Sequence, residues 1–230
     1  MINDDLLVDI GPDIITSSFE NKISLANICY CLQTHPHEDH FDPEIIISRH
    51  RDYGTKVAAD LLIAGSRVTL SMMDEIIARR CTYGSIFDLK VQVAFRIKIK
   101  IVMPYKAYKI GDYQVIGYPA NHHPVKGSLL YSIERDNNSV LYCTDTSFFL
   151  KDVWDHLIQA KKQYDLIILD HTYGIGFESK PGDHLSTREF IKHVDRFLTN
   201  KLLKTGGRIY ATHLSHEGIM EHGKLDTYVK

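Results

Sequence analysis

Apolar positions along this chain fall into short runs and amphipathic stretches, separated by unusually histidine-rich breaks. LLVDIG (6–11) is an apolar run stopped by Gly11-Pro12 and predicts a buried strand; ANICYCLQT (26–34) predicts a second. DPEIIISRHRDYG (42–54) opens with Asp42 at an N-cap and Pro43 in the first turn, which predicts a helix ending near Gly54. KVAADL (56–61) predicts a strand, and SMMDEIIARRCTYGS (71–85) a helix ending near Gly84. From residue 91 the texture changes. VQVAFRIKIKIVMPYKAYKIGDYQVIGYPA is rich in alternating β-branched and aromatic residues and predicts several antiparallel strands. LLYSIERDNNSVLYCTD (129–145) predicts a hairpin turning at Asp136-Asn137-Asn138. A helix over 152–163, a buried strand with its loop over 165–174, an amphipathic helix over 186–202 with Ser186 near its N-cap, and a strand over 206–216 complete the order.

Strands, helices, a strand-rich middle and a final β–α–β succession fit an α/β fold. The expected architecture is a sandwich of two mixed sheets with helices outside. No repeat, low-complexity tract or linker divides the chain, so residues 1–230 are expected to form a single domain.

Composition narrows this picture. The chain of 230 residues carries a net charge of −2 and a pI near 6.7, which argues against a strongly basic nucleic-acid binder. The basic pairs at Arg79-Arg80 and Arg96 to Lys100 read as solvated faces. Cys29, Cys31, Cys81 and Cys143 contain no Cys-x-x-Cys and read as reduced thiols. The acidic N-terminus has no apolar leader, and no run reaches the roughly 18 apolar residues of a membrane span. A cytoplasmic protein that does not enter the membrane is expected.

The chemistry lies at the ends of the predicted strands. THPHEDH (34–40) follows the strand over 26–34 and places His35, His37, Asp39 and His40 on one loop. His122 and His123 follow the strand over 113–118, Asp145 follows VLYC, Asp170 and His171 follow DLIIL, and His213 and His216 follow RIYAT. Solubility alone gives no reason for such residues at five strand ends, where α/β sheets place their ligands. Imidazole with carboxylate suits Zn, Mn or Fe better than Ca. A carboxylate can bridge two ions about 3.5–4 Å apart, and a hydroxide is then available near neutral pH.

Taken in order, H-x-H-x-D-H (35–40), PANH (119–122), YCTDT (142–146) and ATHLSH (211–216) resemble the metallo-β-lactamase fold hydrolases, over about residues 5 to 217. PANHHP, LLYSIE, DLIILDHTYG and GDHLS are similar to the phosphodiesterase-like branch, which includes cyclic-phosphate phosphodiesterases and, more distantly, the tRNA 3′-processing endonuclease. The resemblance implies an αβ/βα four-layer sandwich holding two divalent ions, zinc foremost, with manganese or iron as alternatives. It puts His35, His37 and His122 on one ion and Asp39, His40 and His213 on the other, with Asp145 bridging. His123 is the alternative to His122. His184, in GDHLS, takes the place of the histidine that contacts the scissile phosphate and serves as general acid; Asp39 is the other catalytic candidate. Asp170 reads either as the orienter of a metal-bound histidine or as a buried turn carboxylate. His171 stays open, and His216 reads as a surface residue or a substrate contact. His50, His156, His193 and His222 read as surface residues.

Asp9-Ile10-Gly11-Pro12 arrives almost at once, so the opening hairpin usual in this family is expected to be shortened. The expected activity is hydrolysis of a small phosphodiester, cyclic ones included, or of a nucleotide, through attack by a metal-bridging hydroxide. Hydrolysis of a carboxylic ester, lactone or thioester on the same ions is the alternative enzyme, and a metal-binding accessory protein the alternative outside catalysis. RNA is compatible as a substrate but less favoured, since the long Gly/Pro-rich insertion that serves the endonuclease as its tRNA-gripping arm is missing. A homodimer is compatible with the pattern.

Overall fold

The computed structural model describes residues 1–53, 59–124, 126–175 and 177–215. Two compact units emerge. The first comprises Met1–Met103 with Gly127–Leu129, the second Pro104–Lys126 with Leu130–Lys230.

The first unit is built on a four-stranded sheet of order β1-β2-β3-β4: β1 (Leu6–Val8), β2 (Tyr30–Gln33), β3 (Leu61–Gly65) and β4 (Ile97–Ile101). All three pairings are parallel, with Leu7 opposite Cys31, Cys31 opposite Ile63 and Ile63 opposite Ile99. Parallel neighbours need crossovers, which is where the helices go: α1 (Ile14–Glu20), α2 (Glu44–Ile47), α3 (Arg67–Arg80) and α4 (Leu89–Phe95). Cys31, Ile63, Leu70, Met73, Ile77 and Phe95 form its fully buried centre.

Here the structure differs from the sequence expectation in several places. VQVAF is not a strand but most of α4. Val91 and Phe95 are buried while Val93 is 63% exposed, so the four-residue helical spacing, not the two-residue alternation, describes which side chains enter the core. β4 follows as a parallel edge strand, its Lys98 and Lys100 alternating with inward isoleucines. The helix expected over 42–54 is regular only from Glu44 to Ile47, and His50 beyond it is buried. The strand expected over 56–61 begins at Leu61; residues 54–58 lie outside the described residues.

The second unit carries a six-stranded mixed sheet of order β10-β9-β8-β7-β6-β5. Its strands are β5 (Ala107–Ile110), β6 (Tyr113–Pro119), β7 (Leu129–Arg135), β8 (Asn138–Cys143), β9 (Tyr164–Asp170) and β10 (Leu203–Thr212). β5–β6 and β7–β8 are antiparallel; β8–β9 and β9–β10 are parallel. Asp136 and Asn137 close the β7–β8 hairpin with φ of 52° and 64°, the left-handed pair that short hairpins require. Helices α5 (Lys151–Ala160) and α6 (Thr187–Thr199) connect the parallel strands. Trp154, Leu157 and Phe197 pack with Leu141, Ile167 and Leu169 as this unit's core.

The Ile2 and Leu6 backbones exchange hydrogen bonds in an antiparallel bridge at the start of β1. Among the described residues no helix is long and apolar enough to cross a membrane.

Candidate metal centre

Five of the motifs singled out in the sequence lie at the C-terminal end of a strand, His35 after β2, His122 after β6, Asp145 after β8, Asp170 at the end of β9 and His213 after β10, whereas His184 of GDHLS lies in the loop just before α6. Three of the polar residues at these ends, Asp9, Asp145 and His213, adopt left-handed φ of 65°, 51° and 58°. Such backbone costs about 1–3 kcal/mol per residue and persists only where the surroundings enforce it.

In the first unit Asp9 is the hub. Its carboxylate accepts from the Thr34 amide (2.7 Å), the Thr34 hydroxyl (2.8 Å) and the Gln33 amide group (2.9 Å). It also takes His40 Nδ1 at 2.9 Å. Because the only hydroxyl proton of Thr34 goes to Asp9, Thr34 Oγ1 accepts from His35 Nδ1–H (2.9 Å). Both imidazoles thus carry their proton on Nδ1 and their lone pair on Nε2, the tautomer a metal ligand needs. His40 Nε2 lies 3.3 Å from Asp39 Oδ2. The His35 ring centroid is 4.7 Å from those of His37 and His40. His35 is buried, whereas the Asp39 side chain is 60% exposed.

The second unit repeats this arrangement. Asp170 is fully buried and accepts from the amides of Leu185 (3.0 Å) and Thr172 (3.1 Å), from the Thr172 hydroxyl (3.1 Å) and from His184 Nδ1–H (2.8 Å). Thr172 Oγ1 then accepts from His213 Nδ1–H at 2.8 Å. The parallel His184 and His213 rings (11°, centroids 5.2 Å apart) hang side by side from one Asp–Thr anchor. His122 uses a carbonyl instead, its Nδ1 lying 3.3 Å from Asp183 O. Its Nε2 is 3.7 Å from Asp145 Oδ2, while His213 Nε2 is 3.4 Å from Asp145 Oδ1. One carboxylate therefore turns each of its oxygens toward a different imidazole lone pair. Ligand atoms of Asp145, Asp170, His184 and His213 all lie within 4.8 Å of one another.

Burial pulls the His184 pKa down, but the hydrogen bond and charge of Asp170, with the charges of Asp145 and Asp183, outweigh it, and the net shift is upward. Tyr173, whose ring lies edge-on to His184, is pushed up to about 12 by burial and its bond to Asp183, so its hydroxyl stays protonated.

His123, the alternative to His122, is exposed, and its amide donates to Gly182 O. His171 turns away from the group: its Nε2 meets Thr187 Oγ1 at 2.9 Å and its ring packs on Phe190. His216 and His222 lie outside the described residues. His50 and His193, expected at the surface, are buried. His50 stacks on Tyr83 and meets Phe95, and His193 bridges Phe149 N and Glu189 O. Sequence reading missed Asp9, Thr34 and Thr172 as anchors. The signal for Asp9 was a charged residue inside the apolar run LLVDIG; Thr34 and Thr172 carry none, because their role depends on what faces them.

The fold is shared with known structures. YhfI from Bacillus subtilis, a metallo-β-lactamase fold protein, is 17% identical, with 99% of this chain and 81% of that chain covered at a TM-score of 0.66. A diphosphatase of the PhnP family is 17% identical, with 97% and 74% covered and a TM-score of 0.65. The short form of human tRNase Z is 14% identical, with 94% and 85% covered and a TM-score of 0.62. These likenesses establish the metallo-β-lactamase fold, as the motif order implied. No curated protein matches the chain in sequence. The family model described as anti-Pycsar protein Apyc1 matches residues 2–201, a span that takes in β1 through α6. A chain with this fold, matched along nearly all of its described length, belongs to the anti-Pycsar protein Apyc1 family.

Proposed function

We propose that this protein is a metal-dependent phosphodiesterase, acting through two divalent ions on a small phosphodiester, cyclic ones included, or on a nucleotide. The observation that carries this reading is Asp145. Its two oxygens address the Nε2 atoms of His122 and His213 at 3.7 and 3.4 Å, the disposition of a carboxylate shared between two ions. The donors fit such ions, because His35, His40 and His213 are each anchored through Nδ1 and keep the Nε2 lone pair for coordination. Zinc suits this set, and manganese or iron are the alternatives. When bound, the ions would supply Lewis acidity and a nucleophilic water near neutral pH.

The residues of the chain do the rest. Asp170 fixes the His184 ring through Nδ1, which directs Nε2 away from the anchor. In its imidazolium form, favoured by the surrounding carboxylates, His184 hydrogen-bonds a non-bridging phosphate oxygen through Nε2–H or passes that proton to the leaving oxygen. Asp39, exposed on its loop, and the buried Asp145 would serve as carboxylate ligands to the ions. Support for phosphoryl over acyl substrates comes from the names of the structural neighbours, a diphosphatase and a tRNase Z.

The test is turnover by protein loaded with zinc or manganese, offered bis-p-nitrophenyl phosphate, a lactone and a thioester side by side. Cleavage of the phosphodiester alone is expected. Cleavage of the lactone or thioester alone would transfer the reading to acyl chemistry, and no turnover with any metal would leave an accessory role. Replacing His184 with Ala should lower phosphodiester turnover by about a hundredfold or more with metal content unchanged; lost metal would make His184 a ligand instead.

A further inference from the structure

Helix α6 opens on Ser186-Thr187-Arg188-Glu189. This is the Ser-x-x-Glu spacing at which the serine hydroxyl caps the third helical amide and the glutamate turns back to the serine amide. Neither bond is made. The Ser186 side chain takes no cap hydrogen bond. The Ser186 amide donates to Ser179 Oγ at 2.6 Å, and the Glu189 carboxylate is held by Lys192 at 2.7 Å. The Thr187 amide goes to Gly174 O and the Phe190 amide to Ser186 O. Among the described residues, the first-turn donors left over are the amides of Arg188 and Glu189, at the positive end of a 13-residue helix.

These groups border a cavity of about 540 Å³. Ser186 lines it, is only 5% exposed, and its hydroxyl has no hydrogen-bond partner among the described residues. Its own helix does not use that hydroxyl as a cap, which leaves it available to a ligand in the cavity. Ser179, Thr187 and Arg188 add polar groups to the wall, and Ile175, Phe177 and Ile191, each about half exposed, form an apolar flank. Glu178 and Glu189 both line the wall; Lys192 pairs with Glu189, and Arg188 offsets Glu178.

We propose that this cavity binds the phosphate group of an organic phosphate, on Ser186 Oγ and the amides of Arg188 and Glu189, with the Arg188 guanidinium as counter-charge. Convergent amides, a hydroxyl and a guanidinium suit a tetrahedral oxyanion. The cavity exceeds a bare phosphate, and the apolar flank accommodates the organic remainder. The proposal does not depend on the chemistry at the metal centre.

The experiment is an amide-resonance titration of isotope-labelled, zinc-loaded protein with inorganic phosphate and then with phenyl phosphate. The Arg188 and Glu189 amides are expected to shift saturably, with phenyl phosphate binding more tightly and also moving Ile175, Phe177 and Ile191. Ser186→Asp places a carboxylate at the cap and should weaken binding by about ten- to a hundredfold. Arg188→Gln is the second variant, should the first not fold, and should weaken binding in the same direction. Unmoved Arg188 and Glu189 amides, shifts confined to residues of the metal centre, or unchanged affinity in a folded variant would overturn the proposal.

Discussion

At the scale of the single residue, the recurring device is an aspartate that fixes a histidine tautomer, directly or through a threonine. Asp9 serves His40 directly and His35 through Thr34; Asp170 serves His184 directly and His213 through Thr172. Asp9→Asn keeps the shape but replaces one acceptor oxygen by a donor, which opposes His40 Nδ1–H. Metal affinity should fall by about ten- to a hundredfold, read by competition with a chromophoric chelator. Asp145→Asn should lose bound metal outright; full occupancy by elemental analysis would remove the bridging role. His193 makes a different point. Its Nδ1 donates to Glu189 O and its Nε2 accepts from Phe149 N, so only the neutral ring satisfies both. Burial depresses its pKa below 6.5. The unfolded chain then binds the proton more readily, so this contribution is complete above pH 6.5 and is lost as pH falls below it. Denaturant melts should show stability declining in that window by up to about 1.4 kcal/mol per pH unit, and His193→Gln should flatten the slope.

At the scale of the element, two serine N-caps behave oppositely. Ser66 caps α3, its hydroxyl accepting from Thr69 N at 3.1 Å, whereas Ser186 leaves α6 uncapped. Ser66→Ala should cost about 1 kcal/mol, and Ser186→Ala close to nothing without an anion present, both read from urea midpoints. The loop before α6 depends on Gly182, which has φ +83°; a Cβ there would lie 2.1 Å from the His123 ring. Gly182→Ala should therefore destabilise by about 1–3 kcal/mol and disturb the backbone that carries Asp183 and His184. Gly11 plays a similar part in the first unit, where an added Cβ would stand 2.3 Å from Asp39 O. The helical spacing of Val91 and Phe95 belongs to this scale as well. Over five residues, alternation and helical spacing share positions, and the burial of those two against the exposure of Val93 separates the readings.

At the scale of the whole molecule, the ions of the proposed function would bind the folded protein and not the unfolded chain. A chelator should lower the melting temperature, by the equivalent of about 2.7 kcal/mol when free metal had stood at a hundred times its dissociation constant; identical melts with and without chelator would count against resident ions. The sequence by itself determined the α/β class, the order of most elements and the placement of His35, His122, Asp145, Asp170 and His213 at strand ends. Those features are local: hydrophobic period, turn residues and the side chain that follows a strand are all written within a few positions. Only the tertiary structure decided that the first sheet is parallel throughout, that residues 89–95 are helical and that His50 and His193 are buried. It also decided that Asp9, Thr34 and Thr172 set the histidine tautomers, and that Ser186 borders a cavity without capping its own helix. Each of these depends on which group stands opposite across tens of residues of chain. Local pattern carries no record of that partner, and a hydrogen bond or a packing contact exists only once the partner is in place.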